Sequence, residues 1–205
     1  MSRIRVLLCL CSLLVAGPAN AAATVLVFGD SLSAGYGIAV EQSWPALLAE
    51  RLRREKFPMT LINASISGET TAGGKSRLPA LLAREKPAVV VLALGANDGL
   101  RGLALDATRA NLAQMARAAK TAGARVLIVG MRLPPNYGPD YTREFHALFA
   151  AVAKQEKTAL LPFLLAPVAS DDGAFQADRL HPTAAAQPKI LDHVWRSLGP
   201  LLKQP

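Results

Sequence analysis

Apolar positions in this chain fall into two alternating patterns. Residues 24–28, 60–62, 88–94, 125–129 and 159–161 are short runs, most of them unbroken in apolar character and rich in β-branched residues. A strand buried on both faces reads this way, so the runs predict a parallel sheet covered by helices rather than a half-exposed antiparallel one. They recur roughly every 30 to 40 residues, the length of a βαβ unit. Between them, Trp44, Leu47, Leu48 and Leu52 fall at helical spacing, and so do Phe145, Leu148, Phe149 and Val152. These aromatics are therefore assigned to the core. Residues 105–121 form a further alanine-rich helical stretch with Gly123 as its stop, and a last helix is expected to bury Ile190, Leu191, Val194, Trp195 and Leu198. With no internal repeat or linker, the pattern predicts an α/β fold, a three-layer α/β/α sandwich with about five parallel strands.

The N-terminus changes which residues belong to that fold. Arg3 and Arg5 precede an apolar stretch over 6–15, followed by Gly17, Pro18 and the small-residue site Ala19-Asn20-Ala21. This is the pattern of a cleaved secretory signal. The stretch is shorter than the roughly 20 apolar residues that a membrane span needs, and an uncut N-terminal anchor is the alternative. Residues 1–21 are expected to be removed, leaving 22–205 as one domain with its own core. Cys9 and Cys11 both lie in the signal. The mature chain is thus expected to have no thiol, disulfide or cysteine metal ligand, and to be a soluble, monomeric product exported to the periplasm or the medium.

Charge narrows the partners. There are 23 Lys and Arg against 15 Asp and Glu, a net charge of +8; without Arg3 and Arg5 the excess is about six. Cations such as Arg51, Arg53 and Arg54 sit on helical stretches without interleaved aromatics, which reads as a solvated helix face and not a nucleic-acid footprint. A weak attraction to anionic lipid surfaces is compatible with this balance.

In a parallel sheet of this kind, ligands bind in the crevice at the carboxyl ends of the strands. Polar residues cluster there. Gly29-Asp30-Ser31-Leu32-Ser33 follows the first run, Asn63 to Thr70 the second and Gly95-Ala96-Asn97-Asp98-Gly99 the third, while Asp178-Arg179-Leu180-His181-Pro182 precedes the last helix. These four blocks, in this order, resemble the GDSL/SGNH hydrolase family, and the similarity extends over most of the chain beyond residue 21. The resemblance implies a serine hydrolase of flavodoxin-like plan, acting on small-molecule acyl esters or thioesters such as lysophospholipid, acyl-CoA-type or aryl ester substrates, with no cofactor.

The chemistry accounts for those residue types together. A serine hydroxyl is a poor nucleophile and must lose its proton to a neighbouring base as it attacks a carbonyl. Ser31 is the expected nucleophile and His181 the base, since histidine can take that proton and hand it to the leaving group. Asp178, three residues earlier, could orient the imidazole if the loop makes one turn, and Pro182 biases His181 toward an extended backbone. Asp171 and Asp172 are rival acids, lying further upstream. By resemblance, the oxyanion donors would be the backbone N–H of Ser31, the backbone N–H of Gly68 and the side-chain amide of Asn97.

Plainer roles stand beside each of these. Ser31 could be a turn or N-cap residue, His181 a cap or surface residue, Gly68 a turn glycine and Asn97 a turn former before Gly99. Asp98 reads as a loop buttress, and His146 and His193 as surface residues off their apolar stripes. Leu32, Ile66, Leu100, Leu133 and Pro134 are candidates to line an acyl cleft, and Gly99 and Gly102 frame a stem that could hinge. The sequon at Asn63 is discounted because it lies within the proposed site. The sequence has no G-x-S-x-G elbow, phosphate loop or H-E-x-x-H zinc motif. Two other readings use the same chain: a carbohydrate O-deacetylase with the same triad, and a non-catalytic binding module.

Overall fold

The computed structural model of the protein describes residues 23–203. The expected signal and both cysteines lie outside these residues. In chain order the elements are β1 (Ala23–Gly29), α1 (Ser31–Ala34), α2 (Trp44–Arg54), β2 (Met59–Asn63), α3 (Thr71–Glu85), β3 (Val89–Ala93), α4 (Ala96–Leu100), α5 (Leu105–Thr121), β4 (Arg125–Val129), α6 (Pro139–Glu156), β5 (Ala159–Leu161) and α7 (Gln187–Leu202). The five strands form one parallel sheet in the order β2-β1-β3-β4-β5. The runs of the central strands β1, β3 and β4 are apolar because helices cover both faces of the sheet there, leaving no wet side to favour alternation, whereas the edge strand β2 keeps Thr60 and Asn63 exposed.

The register of those faces builds the three layers. Val25 and Val27 of β1, with Val89, Val91, Leu127 and Val129, pack against Trp44, Leu48 and Leu52 of α2 and Ile190, Val194 and Leu198 of α7. Their neighbours Leu26, Phe28, Val90, Leu92, Val126 and Ile128 pack on the other side, against Leu78 and Leu82 of α3, Leu112 and Met115 of α5, and Phe145 and Phe149 of α6. Successive strand residues point to opposite faces, so one continuous apolar run serves two cores. Two expectations are corrected here. Trp195 is not buried in the core but half-buried at its edge, with the Arg51 guanidinium 4.2 Å over its ring and Phe57 edge-on at 5.6 Å. The helix α3, absent from the periodicity reading, carries Gly73, Gly74 and Pro79. Its glycine is a packing device: a Cβ on Gly74 would stand 2.4 Å from Leu94 Cδ1, so its absence lets the helix sit close on the sheet.

This strand order places the topological switch between β1 and β3, where the connection leaving β1 runs one way to β2 and the connection leaving β3 runs the other way to β4. The crevice at a switch point is the usual ligand site of such sheets. Ser31 follows β1 and Asn97 follows β3. Among the described residues, no helix is long and apolar enough to cross a membrane.

Candidate active site

The turn carrying Ser31 is set by its two predecessors. Gly29 passes so close to Ala93 and Ser33 that a Cβ there would lie 3.0 Å from the Ala93 carbonyl oxygen and 2.8 Å from Ser33 Oγ. Asp30, not Ser31, is the N-cap of α1: its Oδ1 accepts from the Leu32 N–H at 3.0 Å. Ser31 then opens the first helical turn with its hydroxyl at the crevice. Asp30 is itself buried, and burial pushes its carboxyl up from 3.8 to about 7, against the pull of the Leu32 N–H. Between those values the folded state holds the proton more tightly than the unfolded chain, so this group makes stability fall as pH rises. Measured against Asp30→Asn, which keeps the cap, the unfolding free energy of the native protein is expected to decline between about pH 4 and 7. A difference between the two proteins that is constant with pH would refute this.

The loop carrying Asp178 and His181 is a pinched hairpin. An antiparallel bridge joins Phe175 and Pro182, Gln176 N–H donates to the His181 carbonyl at 2.8 Å, and Thr183 N–H donates to the Ala174 carbonyl at 2.8 Å. Within it, Arg179 takes a left-handed backbone (φ 56°), which lets the chain reverse over three residues. Asp178 Oδ1 accepts from the Leu180 and His181 N–H groups at 2.9 and 3.0 Å, and Oδ2 lies 2.7 Å from His181 Nδ1. These contacts hold the Asp178 carboxyl down to about 2, the His181 backbone N–H contributing most, then Leu180, then the imidazole. An ionised Asp178 can only accept, so Nδ1 carries the proton and Nε2 presents a lone pair. That Nε2 stands 2.8 Å from Ser31 Oγ. The rival Asp171 instead caps a short turn through the Gly173 N–H and lies 3.8 Å from Lys189 Nζ.

On the other side of Ser31, Gly68 occupies a turn with φ 79°, closed by the Glu69 N–H on the Ile66 carbonyl at 3.2 Å. That φ strains any residue with a Cβ, which makes glycine a turn requirement here as well as a close-approach residue. Arg101 Nη2 donates to the Gly68 carbonyl at 2.9 Å and Asn97 Nδ2 to the Glu69 carbonyl at 3.0 Å. One Asn97 amide hydrogen is thereby used and the second remains for the cleft. The carboxylate of Asp98 fixes this corner from behind: buried, it accepts from Thr71 N–H at 2.8 Å, from Thr71 Oγ1, and from Thr108 Oγ1 at 3.3 Å. It buttresses α4 against α3 and α5. Asn63, the sequon residue, does similar work, donating to the Ser33 carbonyl at 2.8 Å and accepting from the Ser65 N–H.

Ser31, Gly68, Asn97 and His181 share one cleft of about 430 Å³. Leu32, Leu100, Leu133 and Pro134 line it; Ile66 does not, its side chain pointing outward and 48% exposed. Sequence reading missed Tyr36, Met131, Phe163 and Phe175 in its wall. Met131 and Phe163 follow β4 and β5, so the same strand-end rule that found the polar blocks points to them. Gly99 is closely packed: a Cβ there would stand 2.6 Å from Phe145, and the Tyr141 and Tyr137 hydroxyls donate to the Gly99 and Leu100 carbonyls. His146 and His193, expected at the surface, are half-buried and reach the Met131 and Phe163 carbonyls with ring nitrogens. Among the described residues no group of three His, Asp or Glu is arranged to hold a metal ion.

Comparison with known proteins bears on what this arrangement belongs to. Residues 27–187 match the model of the GDSL-like lipase/acylhydrolase family. The chain is 56% identical over 182 residues to the esterase TesA of Pseudomonas aeruginosa, covering 89% of this chain and 90% of that protein. It is 42% identical over 184 residues to the thioesterase 1/protease 1/lysophospholipase L1 of Escherichia coli, covering 90% and 87%. The solved structure of the psychrotrophic esterase EstA from Pseudoalteromonas sp., inhibited by monoethylphosphonate, superposes with a TM-score of 0.84 at 38% identity, covering 88% of this chain and 99% of that one. By its sequence over most of its length and by the fold it shares with these relatives, the chain belongs to the GDSL-like lipase/acylhydrolase family.

Proposed function

We propose that this chain is a serine esterase and thioesterase that hydrolyses small-molecule acyl esters and thioesters through an acyl-enzyme on Ser31. The observation that carries the reading is the continuous hydrogen-bonded path from Ser31 Oγ through His181 to Asp178, at 2.8 and 2.7 Å, on the wall of a largely apolar cleft. As Ser31 Oγ attacks the acyl carbon, its proton passes to His181 Nε2, and Asp178 holds the imidazolium that forms. The carbonyl oxygen becomes negative and meets the N–H groups of Ser31 and Gly68 and the free Asn97 amide hydrogen. Collapse breaks the C–O or C–S bond, and the leaving group takes the proton from His181. Water then gives a proton to His181 and attacks the acyl carbon, and as the bond from that carbon to Ser31 Oγ breaks, Oγ takes the proton back from His181 and the acid is released. All of this is done by the chain's own groups.

The lining by Leu32, Leu100, Leu133 and Pro134 favours an acyl chain over an acetylated sugar, which would need more polar partners in the wall. A phosphonate serine probe located by mass spectrometry, coupled to a panel of acyl esters, thioesters and acetylated glycans, tests both points. Absence of label on residue 31 would overturn the mechanism, and preference for the glycans would overturn the substrate class. Replacing Asn97 by alanine is expected to lower kcat by about 100- to 1000-fold with KM changed much less, because the lost donor acts on charge that exists only in the transition state. Equal kcat in the variant would remove Asn97 from the site. The leader pattern over residues 1–21 supports export of a single hydrolase domain over 22–205, and a mature protein whose N-terminal sequence still includes Arg3 and Arg5 would contradict it.

A further inference from the structure

The imidazole and the hydroxyl sit on separate pieces of chain, and what fixes their separation is not the triad itself. Gln176 lies at the base of the hairpin that carries Asp178 and His181. Its backbone N–H donates to the His181 carbonyl at 2.8 Å and its carbonyl accepts from the Arg179 N–H at 2.9 Å, so it closes the loop from both sides. Its side chain then uses both amide hydrogens: Nε2 donates to the Pro182 carbonyl at 3.1 Å and, across the crevice, to the Tyr36 carbonyl at 2.8 Å. Two carbonyl acceptors leave no choice about which end of the amide is nitrogen.

The Tyr36 end of this bridge leads straight to the nucleophile. Tyr36 N–H donates to the carbonyl of Ser31 itself at 3.2 Å, and the Tyr36 ring lies on the His181 imidazole with centroids 4.5 Å apart. Gly37 makes room for the bridge: a Cβ there would stand 2.0 Å from Gln176 Oε1. Neither Gln176 nor Tyr36 is hydrogen-bonded to Ser31 Oγ, which is paired with His181 Nε2.

We propose that Gln176 is a positioning residue: its carboxamide bridges the base-bearing loop to the turn after the nucleophile and so sets the distance between Ser31 Oγ and His181 Nε2. This rests on the serine hydrolase reading above. The triad contact by itself is a poor tether, because the loop is exposed at its tip and the Ser31 hydroxyl must release His181 in every cycle. A bridge that takes no part in proton transfer keeps the geometry through the cycle. Misplacing a reacting group by about 1 Å can cost 100-fold in rate, so the bridge acts on kcat and not on substrate affinity.

The test uses the full chain and two variants of similar length. Gln176→Met keeps the size and loses both donors; Gln176→Glu turns an acceptor oxygen toward two carbonyls. We expect kcat on a short-chain ester to fall about 10- to 100-fold in Gln176→Met and further in Gln176→Glu, with KM within about twofold for short and long acyl chains. The rate of phosphonate labelling at Ser31 should fall in the same proportion. A merely structural role predicts lower melting temperatures with kcat and labelling unchanged, and that result overturns the proposal. If Gln176→Met does not fold, the kcat and KM of Gln176→Glu decide in the same way. Failure of the underlying reading is distinct, since the native protein would then not be labelled at Ser31 at all.

Discussion

Changing Ser31 to alanine is expected to lower kcat by about five to six orders of magnitude, the loss seen when a serine nucleophile is removed from a triad. Without Oγ there is no acyl-enzyme, and His181 Nε2 faces the cleft with nothing to deprotonate except water. The remaining turnover would come from the oxyanion donors and from substrate held against the apolar wall, which by themselves still exceed the uncatalysed rate. The substitution removes one half-buried oxygen and leaves the Asp30 cap on the Leu32 N–H in place, so the thermal midpoint should move little. Single-turnover measurements with a chromogenic ester check the first statement and a melting curve the second. A variant that retains more than about one per cent of native kcat would show that another group carries the nucleophile role.

Asp178→Asn is expected to cost about 10,000-fold in kcat while leaving the loop folded. An asparagine oxygen can keep the two backbone bonds from Leu180 and His181 that Asp178 Oδ1 accepts now. Its amide nitrogen, however, would donate toward Nδ1. The imidazole would then place its own proton on Nε2, facing Ser31, and could no longer accept from the hydroxyl. In the native protein the Asp178 carboxyl is held down to about 2, so it stays ionised through the range in which activity is assayed. Loss of turnover at mildly acid pH therefore does not belong to Asp178. The stability effect of this depressed group is present above about pH 4 and disappears as pH falls toward 2, the opposite slope to that of Asp30. A native-like kcat in Asp178→Asn would mean that the tautomer is set by something else.

Much of this site could be read from residue order because it obeys two strong constraints. The central strands β1, β3 and β4 are largely buried on both faces and so almost wholly apolar, the partly buried edge strands β2 and β5 still carry short apolar runs, and the polar blocks at the strand ends could be located by inspection. The Asp178 to His181 spacing is local, and one turn of backbone brings the two together. What escaped reading depends on contacts between distant pieces of chain. The helix α3 was hidden because Gly73, Gly74 and Pro79 weaken its propensity, and the reason for Gly74 lies across the structure at Leu94. Ile66 reads as cleft lining because it is an apolar residue in a block of the expected site, but in a turn the direction of a side chain does not follow from its position in sequence. The Thr71, Thr108 and Asn111 network behind Asp98 gives no periodic signal, since Thr71 opens α3 and Thr108 and Asn111 are two polar residues on the otherwise apolar inner face of α5.

The contact between Ser31 and His181 joins residues 150 positions apart. On the proposed reading, the hydroxyl of Ser31 meets its base only once the chain has been made as far as the loop of His181, close to the end of the described residues. In refolding, regain of turnover should lag behind the return of helical circular dichroism, since closing so long a loop follows the formation of local structure.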